Sequence, residues 1–308
     1  MGAGSFEDRT SAAPGAQAQF QRITDPADRR LRPYLHLTDP ALRRGYETSE
    51  GLFIAEGRLV VERLLGSRYP VRSVLVTEGG ARRMAGVLAA STTTVMVVEE
   101  EMARKVTGFH LHRGILACAA RLPLPDPRSV AAEARVIMVL EDIADQTNMG
   151  SLFRSALALG VGAALLSPGC CDPLYRRSVR VSMGASLRLP YAVVEPWPHA
   201  LAGLAGTHHL LALTPDPKAE ALEEFASSWS GRPLAVLLGT EGAGLSPPAL
   251  SRCQTRVRIP MREGTDSLNV ATAAAIAFAF LADAGPVRIP HPGPPAHPAP
   301  DPGAEQVQ

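Results

Sequence analysis

Two blocks of short apolar runs alternating with helix-patterned segments constrain the fold of this 308-residue chain more than any other feature. In the second block, residues 136–140, 163–166, 210–214 and 234–238 are almost unbroken runs of Val, Ile, Leu, Met and Ala. A strand apolar at every position is buried on both faces, which is the condition of a parallel sheet covered by helices. Parallel neighbours need long crossovers, and segments 149–159, 174–181, 218–229, 247–252 and 268–284 read as helices between or after strands. Shorter strands are expected at 192–194 and 255–259. The crossovers are expected to be right-handed.

The first block alternates in the same way. Strands are expected at 52–55, 71–76, 94–98 and 114–119, with helices at 58–65, 81–89 and 99–106, which makes a small α/β/α domain. Between the blocks lies Arg121-Leu122-Pro123-Leu124-Pro125-Asp126-Pro127, whose three prolines forbid helix and favour an extended linker. The expected organisation is therefore a disordered N-terminus over 1–22, a first domain over 23–121, a linker over 122–134, a second domain over 135–285 and a Pro-rich disordered tail over 286–308. Both ends are dominated by small, polar or Pro-rich sequence that cannot form a core.

With 31 Lys and Arg against 30 Asp and Glu, net charge does not select a nucleic-acid partner. The charge is clustered, however, in Arg29, Arg30, Arg32, Arg43 and Arg44, and again in Arg176, Arg177 and Arg180. Either cluster alone reads equally well as a solvated helix face. No apolar run approaches the roughly 20 residues that span a bilayer, and the N-terminus has no signal-peptide apolar block, so a cytoplasmic, membrane-free protein is expected. The four cysteines, at 118, 170, 171 and 253, make neither a zinc spacing nor a disulfide framework, and no metal is expected.

In an open parallel sheet, ligands bind beyond the carboxyl ends of the strands. Three polar segments are expected there. The first, 145–156, puts Asn148 at a helix mouth and Arg154 six residues further on. Taken alone these read as a helix cap and a surface arginine. The second, 237–246, carries Gly239, Glu241, Gly242 and Gly244. Its GxxGxG spacing is not the dinucleotide fingerprint, and it lacks the Lys-Ser/Thr of a phosphate-cradling loop. Glu241 would repel a phosphate, so a neutral or cationic ligand fits better. The third runs from Ile259, Pro260 and Met261 to Ser267, Leu268 and Asn269, then into an alanine-dominated helix. Its small residues also suit close core packing or a dimer contact.

In this order and spacing, the three segments resemble the three motifs of the SpoU (TrmH) family of the SPOUT superfamily, RNA 2′-O-ribose methyltransferases that use S-adenosylmethionine. Residues 136–284 carry the likeness, and it extends to Asp172-Pro173, Arg180, Ser182, Met183-Gly184-Ala185 and Leu189-Pro190. The first domain is similar, more loosely, to the family's L30e-like RNA substrate-binding domain through Phe53-Ile54-Ala55-Glu56-Gly57 and Gly114-Ile115-Leu116-Ala117. His112-Arg113 stands where members often carry a Gln.

The resemblance implies an α/β fold with a C-terminal trefoil-knotted methyltransferase domain, acting as a homodimer whose active site draws on both chains. It implies that Leu238, Gly239, Glu241, Gly244, Ile259, Met261, Ser267 and Leu268 hold S-adenosylmethionine. Asn148, Arg154, Glu241, Ser267 and Asn269 match the functional polar set. Arg29, Arg30, Arg43, Arg44, Arg113, Arg176, Arg177 and Arg180 would meet RNA phosphates. Ribosomal RNA is expected before transfer RNA, because the two-domain layout is common among rRNA enzymes. The alternatives are a base- or tRNA-directed member of the superfamily and a catalytically inactive RNA-binding module of the same fold.

Overall fold

The computed structural model describes residues 18–39, 45–47, 49–111, 114–229, 231–262, 264–265 and 267–282. The expected disorder of 1–17 and 286–308, and the expected RNA contacts of Arg43, Arg44 and Arg113, lie outside the described residues.

The first domain is a five-stranded mixed sheet built from β1 (Gln19–Arg22), β2 (Leu52–Glu56), β3 (Val71–Thr77), β4 (Thr94–Val98) and β5 (Ile115–Ala120), in the order β1-β4-β3-β5-β2. Strand β4 runs parallel to β1 and β3, and β5 is antiparallel to β3 and β2. The strands alternate as half-buried strands should, but with both faces covered. Phe53, Val74, Val95 and Ile115 face Val60, Val61 and Leu64 of α1 (Arg58–Leu65). Their neighbours Ile54, Leu75, Met96 and Leu116 face the 3-10 helix Arg29–Tyr34, and Ala103 and Val106 of a helix at Glu100–Thr107. Two short helices, α2 (Glu78–Arg83) and α3 (Ala85–Ala89), connect β3 to β4, and the Glu100–Thr107 helix is α4.

Two expectations are corrected. Gln19–Arg22, placed in the disordered N-terminus, is an edge strand paired with Thr94–Val97. Its side chains are mostly exposed, Phe20 among them at 49 %, so it carries almost no apolar pattern and is held by main-chain pairing. The proline run does not exclude helix throughout either, because Pro127–Ala132 is α5. Pro127 sits at the first helical position, where its missing N–H costs nothing, and Asp126 caps the end by accepting from the Ser129 N–H at 3.0 Å.

The second domain is a seven-stranded, wholly parallel sheet. Its strands are β6 (Val136–Leu140), β7 (Ala163–Leu166), β8 (Tyr191–Val193), β9 (His209–Leu213), β10 (Glu220–Ala221), β11 (Leu234–Leu238) and β12 (Thr255–Arg258). The order is β10-β12-β9-β11-β6-β7-β8. On one face pack α6 (Gln146–Ala158), α7 (Arg176–Val181), α9 (Leu222–Ser228) and α11 (Val270–Leu281), burying Leu152, Phe153, Val179, Phe225, Ala274 and Phe278 against Met138, Leu140 and Val236. On the other face α5, α8 (Leu201–Leu204) and α10 (Pro247–Leu250) bury Ala131, Leu201 and Ala249 against Ile137, Val139, Leu165 and Leu237. From β6 the chain steps outward through β7 and β8, then crosses back so that β11 inserts between β9 and β6. The strand order reverses there, which opens a crevice at the carboxyl ends of β9, β11 and β12.

Several helix boundaries shift: the expected helix 81–89 is split into α2 and α3, and the expected helix 174–181 begins at Arg176. Helix α6 begins three residues earlier than expected, because Asp145 and not Asn148 is its cap; Asp145 accepts from the Asn148 N–H at 2.8 Å. Helix α9 begins at Leu222, because Glu220–Ala221 pairs with β12. Helix α11 begins at Val270, with Asn269 as its cap.

Candidate functional site

A cavity of about 390 Å³ fills the crevice. Its floor is the end of β11, and its sides come from the loop 239–244, the end of β9 and the segment 259–270. All eight positions expected to hold a methyl donor lie in its wall: Leu238, Gly239, Glu241, Gly244, Ile259, Met261, Ser267 and Leu268. Leu213, Thr214 and Pro215 line it too, and sequence reasoning missed them. The only signal available for them was their place at the end of a buried parallel strand.

The glycine loop is closed on itself. A Cβ on Gly239 would stand 2.1 Å from the carbonyl carbon of Gly244 and 2.3 Å from the nitrogen of Leu245, so only hydrogen fits between the two backbones. The Gly244 N–H donates to the Thr240 carbonyl at 3.0 Å, and Gly242 and Gly244 turn at φ +84° and +68°. Those φ values strain any side chain, so the glycines at 239, 242 and 244 answer to the loop's own geometry before any ligand enters.

Asn269 joins two of the other expected polar residues. Its Nδ2 donates to Asn148 Oδ1 at 2.9 Å and to Glu241 Oε1 at 2.6 Å. Its Oδ1 accepts from the N–H groups of Ala271 and Thr272 at 2.9 and 3.4 Å, capping α11. Both amide donors and both acceptor lone pairs are thereby committed. Asn269 is a joint between the three segments, and its carboxamide has nothing left for a ligand. The same bonds orient Asn148, whose Nδ2 has no partner among the described residues.

Ser267 and Leu268 are exposed on the cavity rim. Arg154 is apart from this cluster. It is exposed on α6, about 9 Å along the axis from Asn148 by helical rise, and does not line the cavity. It forms no hydrogen bond or ion pair among the described residues.

The expected RNA-binding arginines divide. Arg176 donates to Glu56 Oε2 at 2.6 Å and to the Leu37 carbonyl at 3.0 Å, and lies over the Phe109 ring. Arg180 meets the other oxygen of Glu56 at 3.0 Å. These two therefore tie the second domain to the first, beside a further ion pair from Arg121 to Asp172 at 2.5 Å. Arg177, between them, is exposed and unpaired among the described residues. Arg29 is exposed, and Arg30 is held by Asp28, whose carboxyl that guanidinium lowers to about 2.

Burial pushes the thiols of Cys171 and Cys253 up to about 12 and raises that of Cys170. Among the described residues no cluster of three or more His, Cys, Asp or Glu is placed to hold a metal ion. No helix among them is long and apolar enough to cross a membrane.

Comparison with known proteins adds to this geometry. A model of the SpoU rRNA Methylase family matches residues 135–279. An uncharacterized tRNA/rRNA methyltransferase of Mycobacterium tuberculosis is 44 % identical over 259 residues, covering 84 % of this chain and 90 % of the relative. The 23S rRNA (guanosine(2553)-2′-O)-methyltransferase of Bacillus subtilis is 26 % identical, covering 74 % and 88 %. The crystal structure of an AdoMet-bound rRNA methyltransferase from Sinorhizobium meliloti shares the fold, with a TM-score of 0.70 at 20 % identity over 85 % of this chain and 97 % of that one.

Proposed function

The chain belongs to the SpoU rRNA methylase family, and on that premise we propose that it is an S-adenosylmethionine-dependent RNA methyltransferase acting on a ribose 2′-hydroxyl. The observation that carries this reading is the joining of Asn148, Glu241 and Asn269 at the rim of a cavity walled by the glycine loop.

The residues present fit such a donor. Leu238, Ile259, Met261 and Leu268 offer an apolar slot for a flat base, and the closed glycine loop presents backbone at close range. Glu241 places a carboxylate where a sulfonium would be attracted and a phosphate repelled. When bound, S-adenosylmethionine supplies an electrophilic methyl group on that sulfonium.

The remaining work falls to the protein and the RNA. The attacking hydroxyl must be held in line and must shed its proton. Asn148, oriented by Asn269, has a free amide to hold the ribose. Arg154 carries a guanidinium, which as a cation has no lone pair with which to accept the proton. Its role in this reading is to grip the adjacent phosphate and stabilise the developing alkoxide, with the proton leaving to water. Because Arg154 lies outside the cavity wall, we read the working unit as a homodimer in which a second copy of the chain brings its arginine to the rim. The exposed apolar side chains of Met261, Leu268 and Phe280 on and beside α11 favour such a contact. Threading of the last strand and helix into a trefoil knot belongs to the same reading. Ribosomal RNA is the preferred substrate class, supported by the name of the Bacillus relative, with Arg177 as a phosphate contact.

The test is methyl transfer from labelled S-adenosylmethionine to RNA, followed by alkaline hydrolysis. A 2′-O-methyl blocks cleavage, so label is expected in alkali-resistant dinucleotides; label in mononucleotides would point to base methylation instead. Arg154→Ala is expected to lower kcat by about a thousandfold, the order of a lost charge-stabilising donor. S-adenosylhomocysteine affinity should change little.

A further inference from the structure

We infer that Glu141, which does not line the cavity, is the positioning residue that presets the glycine loop for its ligand. This inference rests on the donor-binding reading above. Glu141 follows directly on β6 and is only 4 % exposed. Its main-chain N–H donates to the Leu238 carbonyl at 2.9 Å, alongside the residue where the loop begins. Its side chain reaches across to where the loop ends. Oε2 accepts from the Ser246 N–H at 2.8 Å, and Oε1 accepts from the Ser246 hydroxyl at 2.6 Å. One residue therefore grips the entry and the exit of the segment 239–245.

The grip is extended on both sides. Ser246 caps α10, its hydroxyl accepting from the Ala249 N–H at 3.3 Å. Trp197 donates its indole N–H to Glu141 Oε1 at 2.6 Å, adding a third donor to the carboxylate. Glu141 forms no ion pair among the described residues. A buried carboxylate without a cation is costly unless donors surround it, and an apolar residue there would serve stability as well or better. What the apolar residue could not do is hold two ends of a loop at a fixed separation. That separation decides whether Gly239 and Gly244 lie in contact, and that contact shapes the cavity wall.

The experiment measures S-adenosylhomocysteine binding by calorimetry on the full-length protein, with donor and RNA kinetics beside it. Glu141→Gln keeps the volume but turns one acceptor into a donor facing Ser246 or Trp197. It is expected to weaken S-adenosylhomocysteine binding and raise KM for S-adenosylmethionine by about tenfold, in line with loss of a charge-assisted bond. KM for RNA, and kcat at saturating donor, are expected to stay within about twofold of wild type. Ser246→Ala and Trp197→Phe should each cost about threefold in affinity, and Trp197→Phe should add nothing once Glu141 is Gln. Wild-type affinity in Glu141→Gln, or a fall in kcat with affinity unchanged, overturns the inference. If Glu141→Gln fails to fold, unchanged affinity in both Ser246→Ala and Trp197→Phe overturns it equally. Absence of any uptake by the wild-type protein would instead sink the donor reading, and this inference with it.

Discussion

The loop 239–246 and the segment 259–269 wall the same cavity, but the first is clamped at both ends and packed backbone on backbone, whereas the second meets the cavity with exposed side chains. Gly239 and Gly244 touch without room for a methyl group. Met261 and Leu268, by contrast, are 39 % and 38 % exposed, and the hydrogen bonds inside their segment, among the described residues, run from Thr265 back to the Arg262 carbonyl. The first wall is finished by the chain itself. The second still has apolar surface exposed. Shape discrimination should therefore reside in the glycine loop, and the 259–269 wall should contribute mainly area.

Three substitutions can break or sharpen that contrast. Gly239→Ala forces a Cβ into the Gly244 peptide, so the loop must open; S-adenosylhomocysteine affinity by calorimetry is expected to fall by about a hundredfold, at the upper end of the roughly 1–3 kcal/mol typical of overpacking. Asn269→Ala separates the two walls. It removes the α11 cap, worth about 1 kcal/mol, and releases Asn148 and Glu241. A drop of roughly 2–4 °C in Tm is expected by calorimetric scanning, and about tenfold in donor affinity. Met261→Ala, on the exposed wall, should cost only about threefold in affinity and lower Tm by no more than about 2 °C, because Met261 keeps 39 % of its surface exposed. Equal losses from Met261→Ala and Gly239→Ala would mean that both walls are prebuilt.

What could be read from the sequence was whatever leaves a local pattern. Continuous apolar runs such as Val136–Leu140 announced the parallel sheet, and the GxxGxG spacing around Glu241 announced a loop of close backbone approach. Contacts between distant segments left no such trace. Nothing in the spacing of Asn148 and Asn269, 121 residues apart, says that one donates to the other. Glu141 ended an apolar run and so read as the first residue of a polar loop, although its carboxylate is buried against Ser246 and Trp197. Asn148 stood close enough to the true cap, Asp145, to be taken for it, since both residue types cap helices well. Pro127 read as a helix breaker because proline excludes helix interiors and favours first turns, and position alone decides which applies. The arginines of α7 read as a face for phosphate because their acidic partner, Glu56, lies some 120 residues earlier in another domain.

That seam has an arithmetic of its own. Two guanidinium groups share a single carboxylate whose side chain is 15 % exposed, and one of them, Arg180, keeps 60 % of its side chain in solvent. The triad thus holds the domains together and still carries one uncancelled positive charge, with Arg177 adding another on the same helical turn. A polyanion approaching this face would be drawn to the joint between the domains itself. Raising ionic strength would loosen the joint and dim the attraction together.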